Sequence, residues 1–334
     1  MGKVYFKRFR NKDGKISQDE IKLRLRSFLF GYGGKMGFVK SALTYGLLCI
    51  FGFVYLYPIL YMLATSFKSL NDLLDTTVNW IPKEFTVSNY TQAFKSLHVS
   101  SVIKDSILLA LIPSIGQIIT CSLTGYALQR FRFPGKKLVF TILIITFILP
   151  TQVLMPSTYQ ILLQYKLIGS MLAFIIPAFL GQGLKSAILV LIFYQFFKTI
   201  PRVLDEAAQL DGAGHFRIFY KIGIRAAAPA YIVAFLLSIV WYWNETYLTS
   251  IYMGNAAKSA KSITTLLLEL RNFAYNFDQL YGQSTSMAAG SYSSVNESIK
   301  AAAVLITIIP ILILYFVMQK YFVEGVEKTG ITGE

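Results

Sequence analysis

Hydrophobic positions along this chain gather into six long runs, not into short alternating or one-sided stretches. They are Ser41–Ala64, Ser106–Leu128, Leu138–Ser157, Met171–Phe197, Ala226–Tyr247 and Ala301–Phe322. Each supplies the about 20 helical residues that a bilayer core about 30 Å thick requires. The pattern predicts an all-α polytopic membrane protein with six transmembrane helices. The fourth run is interrupted by Gly181-Gln182-Gly183 and followed by Lys185, so it reads as a short re-entrant or surface piece ahead of a span from near Leu184. Prolines recur in the apolar regions, at Pro58, Pro113, Pro150, Pro156, Pro177 and Pro310. Each breaks a backbone hydrogen bond that lipid cannot replace, so neighbouring helices or a wet cavity must satisfy the freed group.

Composition agrees with the pattern. Of 334 residues, 54% are hydrophobic and only 15% charged, with a mean hydropathy of +0.53. Soluble domains carry about 25% charged residues, so this chain is neither disordered nor an ordinary soluble enzyme. Its two cysteines, Cys49 and Cys121, fall inside apolar runs and exclude a disulfide scaffold.

The net charge of +15 gives the spans a direction. Eleven Lys and Arg residues precede position 41, and Arg130, Arg132, Lys136 and Lys137 lie between runs two and three. Lys198, Arg202, Arg217, Lys221 and Arg225 lie between runs four and five, while Phe67–Asp105 and Leu248–Lys300 are longer and sparser. Basic residues collect in cytoplasmic loops, so both termini are expected in the cytoplasm, and the charge reads as a membrane signal, not a nucleic-acid one. The basic leader before the first run is unlike a cleavable signal peptide.

Within that leader, Asn11, Asp13, Gly14 and Glu20 match part of a calcium loop, but Phe9 stands at its first ligand position. A capping box of Ser17 and Glu20 opening a basic amphipathic helix on the inner leaflet fits better. The only histidines, His98 and His215, fall on opposite sides of the membrane without a Cys or carboxylate cluster, which disfavours a zinc or histidine-based centre.

The segment with most information is Ile200-Pro201-Arg202-Val203-Leu204-Asp205-Glu206-Ala207-Ala208-Gln209-Leu210-Asp211-Gly212-Ala213-Gly214. Pro201 fixes an entry turn, Leu204, Ala207, Ala208 and Leu210 give a short helix with a small-residue face, and Gly212 ends it. Such a helix either docks into a cleft on a soluble partner or merely joins two spans.

Glu206-Ala207-Ala208 followed by Asp211-Gly212-Ala213 resembles the EAA loop of permease subunits in bacterial ABC importers. A wider resemblance to the carbohydrate-importer branch covers about residues 40–334. It runs through Ser66-Phe67-Lys68, Asn89-Tyr90, Gly125-Tyr126-Ala127, Arg130 to Gly135, Leu149-Pro150-Thr151-Gln152, Phe196-Phe197, Trp243-Asn244-Glu245 and Gln319 to Val323. Three features depart from it: Arg225 stands where the family has proline, an apparent insertion occupies about Gly282–Asn296, and the leader is long.

The resemblance implies a type I importer fold in the bacterial cell membrane, with a leader over 1–40, a transmembrane domain over 41–334 and a coupling loop over 200–225. It implies a second homologous permease as heterodimer partner, two ATPase subunits, an external solute-binding protein and a carbohydrate substrate. Gly14-Lys15, Gly34-Lys35 and Gly135-Lys136 lack the rest of a phosphate-binding loop, so ATP and Mg²⁺ belong to the partner ATPases and no cofactor is expected on this chain. Glu206, Ala207, Ala208, Asp211, Gly212 and Ala213 are then the ATPase-coupling residues. Gln117, Gln152, Trp243, Asn244 and Glu245 are candidates for the substrate pathway, because polar groups and aromatic faces inside spans suit sugars. Each has a plainer reading: Gln117 bonding another helix, Trp243 at the membrane interface, Glu245 capping a helix. A polytopic glycosyltransferase would need clustered acids, which the scattered external carboxylates do not supply. An ion-coupled transporter would need intramembrane carboxylates beyond Glu245.

Overall fold

The computed structural model describes Leu29 and residues 37–253, 263–281 and 295–330. The calcium-like segment, the leader helix and nearly all of the 282–296 segment lie outside the described residues. Two units are distinguished, one ending at Thr65 and one beginning at Ser66. The described part of the first is essentially helix α1, Phe38–Ser66.

The second unit begins with α2 (Leu70–Leu74), α3 (Ser88–Ser96) and the long α4 (Val99–Arg130). Helices α5 (Lys136–Ile148), α6 (Thr151–Gln164), α7 (Leu172–Phe179) and α8 (Ser186–Thr199) follow. Next come α9 (Arg202–Leu210), α10 (His215–Ile218), a π-helical turn over Phe219–Gly223, and α11 (Ile224–Ala226). The chain closes with α12 (Ala228–Trp243), α13 (Tyr247–Met253), α14 (Leu266–Arg271), α15 (Phe273–Tyr281) and α16 (Glu297–Gly330). Extended pairing among the described residues is limited to an isolated bridge between Lys68 and Phe85.

Helices α1, α4 and α16 are each long and apolar enough to cross a membrane, and up to six spans result if each of three bent pairs counts as one. The third run is therefore not the single helix its hydrophobicity suggests. It is α5 and α6, meeting at 103°. Pro150 explains the break, because a residue before proline is pushed out of the helical region, and Leu149 is extended there (ψ 127°). The fourth run does break at its glycines, giving α7 and α8. The fifth ends sooner than Tyr247: α12 stops at Trp243, and Asn244 and Glu245 lie in the turn before α13. At its other end α12 leaves the preceding helical segment at 77°, with Pro229 in its first turn and Arg225 exposed on the far side of the bend.

Helix α4 is the centre of the second unit, packing along α8, α12 and α7, while α16 lies on α12 and α3. Gly125 permits a close backbone approach between α4 and α8. A Cβ there would lie 2.7 Å from Cβ of Phe193 on α8 and 3.0 Å from the Tyr194 amide nitrogen, so only glycine fits between the two backbones. Cys121, Leu189, Phe193, Phe197, Ala227, Ala230 and Ala234 form one apolar cluster, and Leu109, Ala173, Phe174, Tyr242, Tyr252 and Ala302 belong to another.

Between the clusters lies a polar lock. The Gln117 amide is completely buried and donates to the Leu184 carbonyl (2.5 Å) and to Ser186 Oγ (3.0 Å), while Ser238 Oγ donates to its Oε1 (3.0 Å). The Leu184 N–H donates to the Tyr242 hydroxyl (3.2 Å). The break between α7 and α8 frees backbone groups in an apolar bundle, and side chains of α4 and α12 supply their partners.

A second locked region joins two of the motifs noted in the sequence. Asn89 donates to the carbonyls of Ser66 and Lys68, both at 2.9 Å, and buried Lys68 donates to the carbonyls of Val78 and Asn79. Phe67 stacks on Phe85 and meets the Tyr90 ring at a tilt. Ser66-Phe67-Lys68 and Asn89-Tyr90 are thus two halves of one structural joint. Nearby, hydrogen bonds from Lys83 and Thr77 hold the exposed Asp75 carboxyl well below the usual carboxylate range.

Candidate functional site

The segment between α8 and α12 is built from its ends inward. Ile200 is buried, and Pro201, extended at ψ 134°, turns the chain by 73° into α9. Helix α9 closes with a Schellman motif: the Gly212 N–H bonds the Gln209 carbonyl at 2.9 Å and the Ala213 N–H bonds the Ala208 carbonyl at 2.9 Å. This closure needs a left-handed residue at position 212, and Gly212 has φ +77°. Nothing lies within 4 Å of where its Cβ would be, so backbone conformation and not crowding selects glycine here. Downstream, Ile218 and Phe219 return the chain to the interior.

Two anchors hold this loop to the bundle. Arg130, the last residue of α4, places Nε 3.0 Å from Oδ2 of Asp205 on α9, both side chains being largely buried at 6% and 14% exposure. Its Nη2 donates to the Ile200 carbonyl at 3.1 Å, while Nη1 is buried without a partner among the described residues. The Nε contact is an ion pair without hydrogen-bond alignment. The second anchor is aromatic: the Tyr126 ring contacts Phe131, Phe197 and Phe219, and Phe131 meets His215 edge-on at 5.1 Å.

The outer side of the loop is open. Glu206, Ala207, Asp211 and Gly212 are exposed and Ala208 and Ala213 half-buried, so all six coupling candidates lie together on α9 and its closing turn. They are flanked by apolar side chains left facing outward: Leu210 at 90% exposure, Phe216 at 74%, Val203 and Tyr220. Exposed apolar side chains beside small residues, on a helix anchored from behind, are suited to receive another protein.

Among the described residues no side-chain hydrogen bond joins the five pathway candidates to one another. Gln117 is the centre of the polar lock, and among the described residues it hydrogen-bonds to none of the other four. Gln152 is exposed in the first turn of α6, and Trp243 is packed into the core at the end of α12. Asn244 is exposed and donates to the Val240 carbonyl, while Glu245 accepts from the Leu248 N–H at 2.8 Å and so caps α13.

Sequence alone does not pair Arg130 with Asp205, although Arg130 opens the Arg130-to-Gly135 block and Asp205 stands beside the EAA triplet. Ser238 offers a weaker signal still: one hydroxyl in a long apolar run.

Comparison with known proteins fits this arrangement. Residues 117–328 match the model of the family described as binding-protein-dependent transport system inner membrane component. The polygalacturonan/rhamnogalacturonan transport system permease protein of Bacillus subtilis is 26% identical over 292 residues, 87% of this chain and 97% of the relative. The sulfoquinovosyl glycerol transport system permease protein of Agrobacterium fabrum is 26% identical over 278 residues, 83% of this chain and 89% of that one. Among solved structures, a chain of a bacterial ABC transporter involved in the import of the acidic polysaccharide alginate shares the fold. Its TM-score is 0.69 at 23% identity, covering 85% of this chain and 96% of that one. The match covers more than half of the sequence, and the chain belongs to the binding-protein-dependent transport system inner membrane components, integral proteins of the plasma membrane.

Proposed function

We propose that this chain is one of two homologous permease subunits of an ATP-driven importer that carries a sugar or oligosaccharide into the cytoplasm. The observation that carries the proposal is the exposed, rigidly closed helix Arg202–Leu210, with Ala207, Ala208, Gly212 and Ala213 at its open side and the Arg130–Asp205 pair behind it. Family membership and the saccharide chemistry in the names of both relatives support it.

In this reading the chain crosses the membrane six times, with both termini, the leader and the 200–225 loop in the cytoplasm. The small residues let α9 approach the cleft of an ATPase subunit closely, and Glu206 and Asp211 anchor it there by hydrogen bonds or ion pairs. ATP and Mg²⁺ are held by two partner ATPases and not by this chain. An external solute-binding protein delivers the substrate. Closure of the ATPase pair moves α9 as one body, and its ties to α4 and α8 carry that movement into the bundle. The result is alternating access between two states, each stabilised differently by nucleotide and binding protein. Gln152 and Asn244, whose amides are exposed, remain path candidates, whereas Gln117 and Glu245 shape the structure around the path.

The test is transport by the complete complex in proteoliposomes. Uptake is expected to stop when the phosphate-loop lysine of the co-purifying ATPase is mutated. Uptake that persists on an ion gradient alone would overturn the proposal.

A further inference from the structure

Lys185 is an exposed charged residue at the break between the apolar helices α7 and α8 that the coupling mechanism leaves unused. It occupies the break between α7 and α8 in the left-handed conformation (φ +53°), which non-glycine residues rarely adopt. The backbone around it is fixed by the polar lock: Gln117 holds the Leu184 carbonyl, Tyr242 holds the Leu184 N–H, and Ser186 is held by Gln117. Two helices, α4 and α12, thus hold the backbone beside one exposed ammonium. Its Nζ lies 5.1 Å from the centre of the Trp241 ring on α12, and no carboxylate among the described residues pairs with it.

Depth makes this arrangement informative. At 1.5 Å per residue, Gln117, Lys185 and Trp241 each lie about 20 Å along their helices from the end that carries the coupling loop. A cation at that depth is costly in lipid, and such residues face the bundle interior or a water-filled path. The indole face offsets part of this cost and leaves the charge available. Because α8 begins at Ser186, its positive N-terminal end adds to the same field.

We propose that Lys185, backed by Trp241, is a subsite on the translocation path for the acidic group of an anionic sugar. The carboxylate or sulfonate pairs with the ammonium while the apolar ring hydrogens lie against the indole. This inference rests on the sugar-importer reading and narrows its substrate class.

The experiment uses the complete transporter in proteoliposomes, with a uronic-acid oligosaccharide and its carboxyl-reduced counterpart as probes. Binding-protein-stimulated ATPase activity reports assembly. Lys185→Gln is expected to lower uptake of the acidic probe at least about tenfold while uptake of the reduced probe and ATPase stimulation hold, and Lys185→Arg is expected to retain most acidic uptake. An unchanged ratio of acidic to reduced uptake in Lys185→Gln would overturn the subsite. So would a Lys185→Gln complex that fails to assemble where Lys185→Arg assembles, since that identifies an ion pair with the partner permease. If the wild type imports neither probe while ATP-driven import of a non-sugar solute is intact, the sugar reading falls and the subsite with it.

Discussion

Gly212 shows how one residue sets the geometry of the coupling segment. Its left-handed φ closes α9 through two backbone bonds, and no neighbour crowds it. Gly212→Ala should therefore cost only about 1 kcal/mol of local stability, the ordinary penalty for a β-carbon in this conformation. Gly212→Trp should insert into the membrane normally yet abolish transport, because its bulk projects from the docking surface. Normal transport with unchanged ATPase stimulation in Gly212→Trp would show that this turn does not contact the ATPase. Residues of this kind are legible from sequence, since glycine after a helical run has few explanations. Gln117 is not: a glutamine in an apolar helix reads equally as a ligand for sugar or as a partner for a neighbouring backbone. Only the position of the break in the next helix decides, and that contact joins residues far apart in the chain.

At the scale of elements, hydropathy finds the apolar runs but not their bends. The glycines at 181 and 183 announce the break between α7 and α8, whereas Pro150 was legible only as a kink and proves to separate two helices at 103°. The tie between elements was hidden as well, because Arg130 and Asp205 lie on different helices and look in sequence like ordinary loop charges. Their burial makes the pair consequential. Removing one member leaves the other charge uncompensated in a largely dry site, a cost of about 3–5 kcal/mol in comparable cases. Arg130→Ala and Asp205→Ala should each lower the melting temperature of the detergent-solubilised complex and raise the ATP hydrolysed per solute imported. The swap Arg130→Asp with Asp205→Arg should recover part of both. If the single variants melt earlier but keep the wild-type ratio, the pair stabilises the loop without transmitting movement.

At the scale of the whole molecule, the sequence carries function through one loop and direction through charge. The runs of basic residues suggest which side each loop faces, and the acidic interruption at Asp205, Glu206 and Asp211 sets apart the loop proposed to meet a partner. The structure adds that this loop is an anchored projection with outward apolar side chains, which lone hydropathy values cannot distinguish from a surface helix joining two spans. The path is the part that sequence does not reveal, because its candidates Gln117, Gln152 and Asn244 lie on three different apolar runs and no single run contains it. The central claim is that α9 docks on an ATPase subunit. A photo-crosslinking amino acid at position 210, whose side chain is 90% exposed, tests this directly in intact membranes, with position 75, which the proposed topology puts across the membrane, as control. The account predicts a cross-link from position 210 to an ATPase subunit and none from position 75. Cross-links from position 210 only to lipid or to other membrane proteins would contradict it.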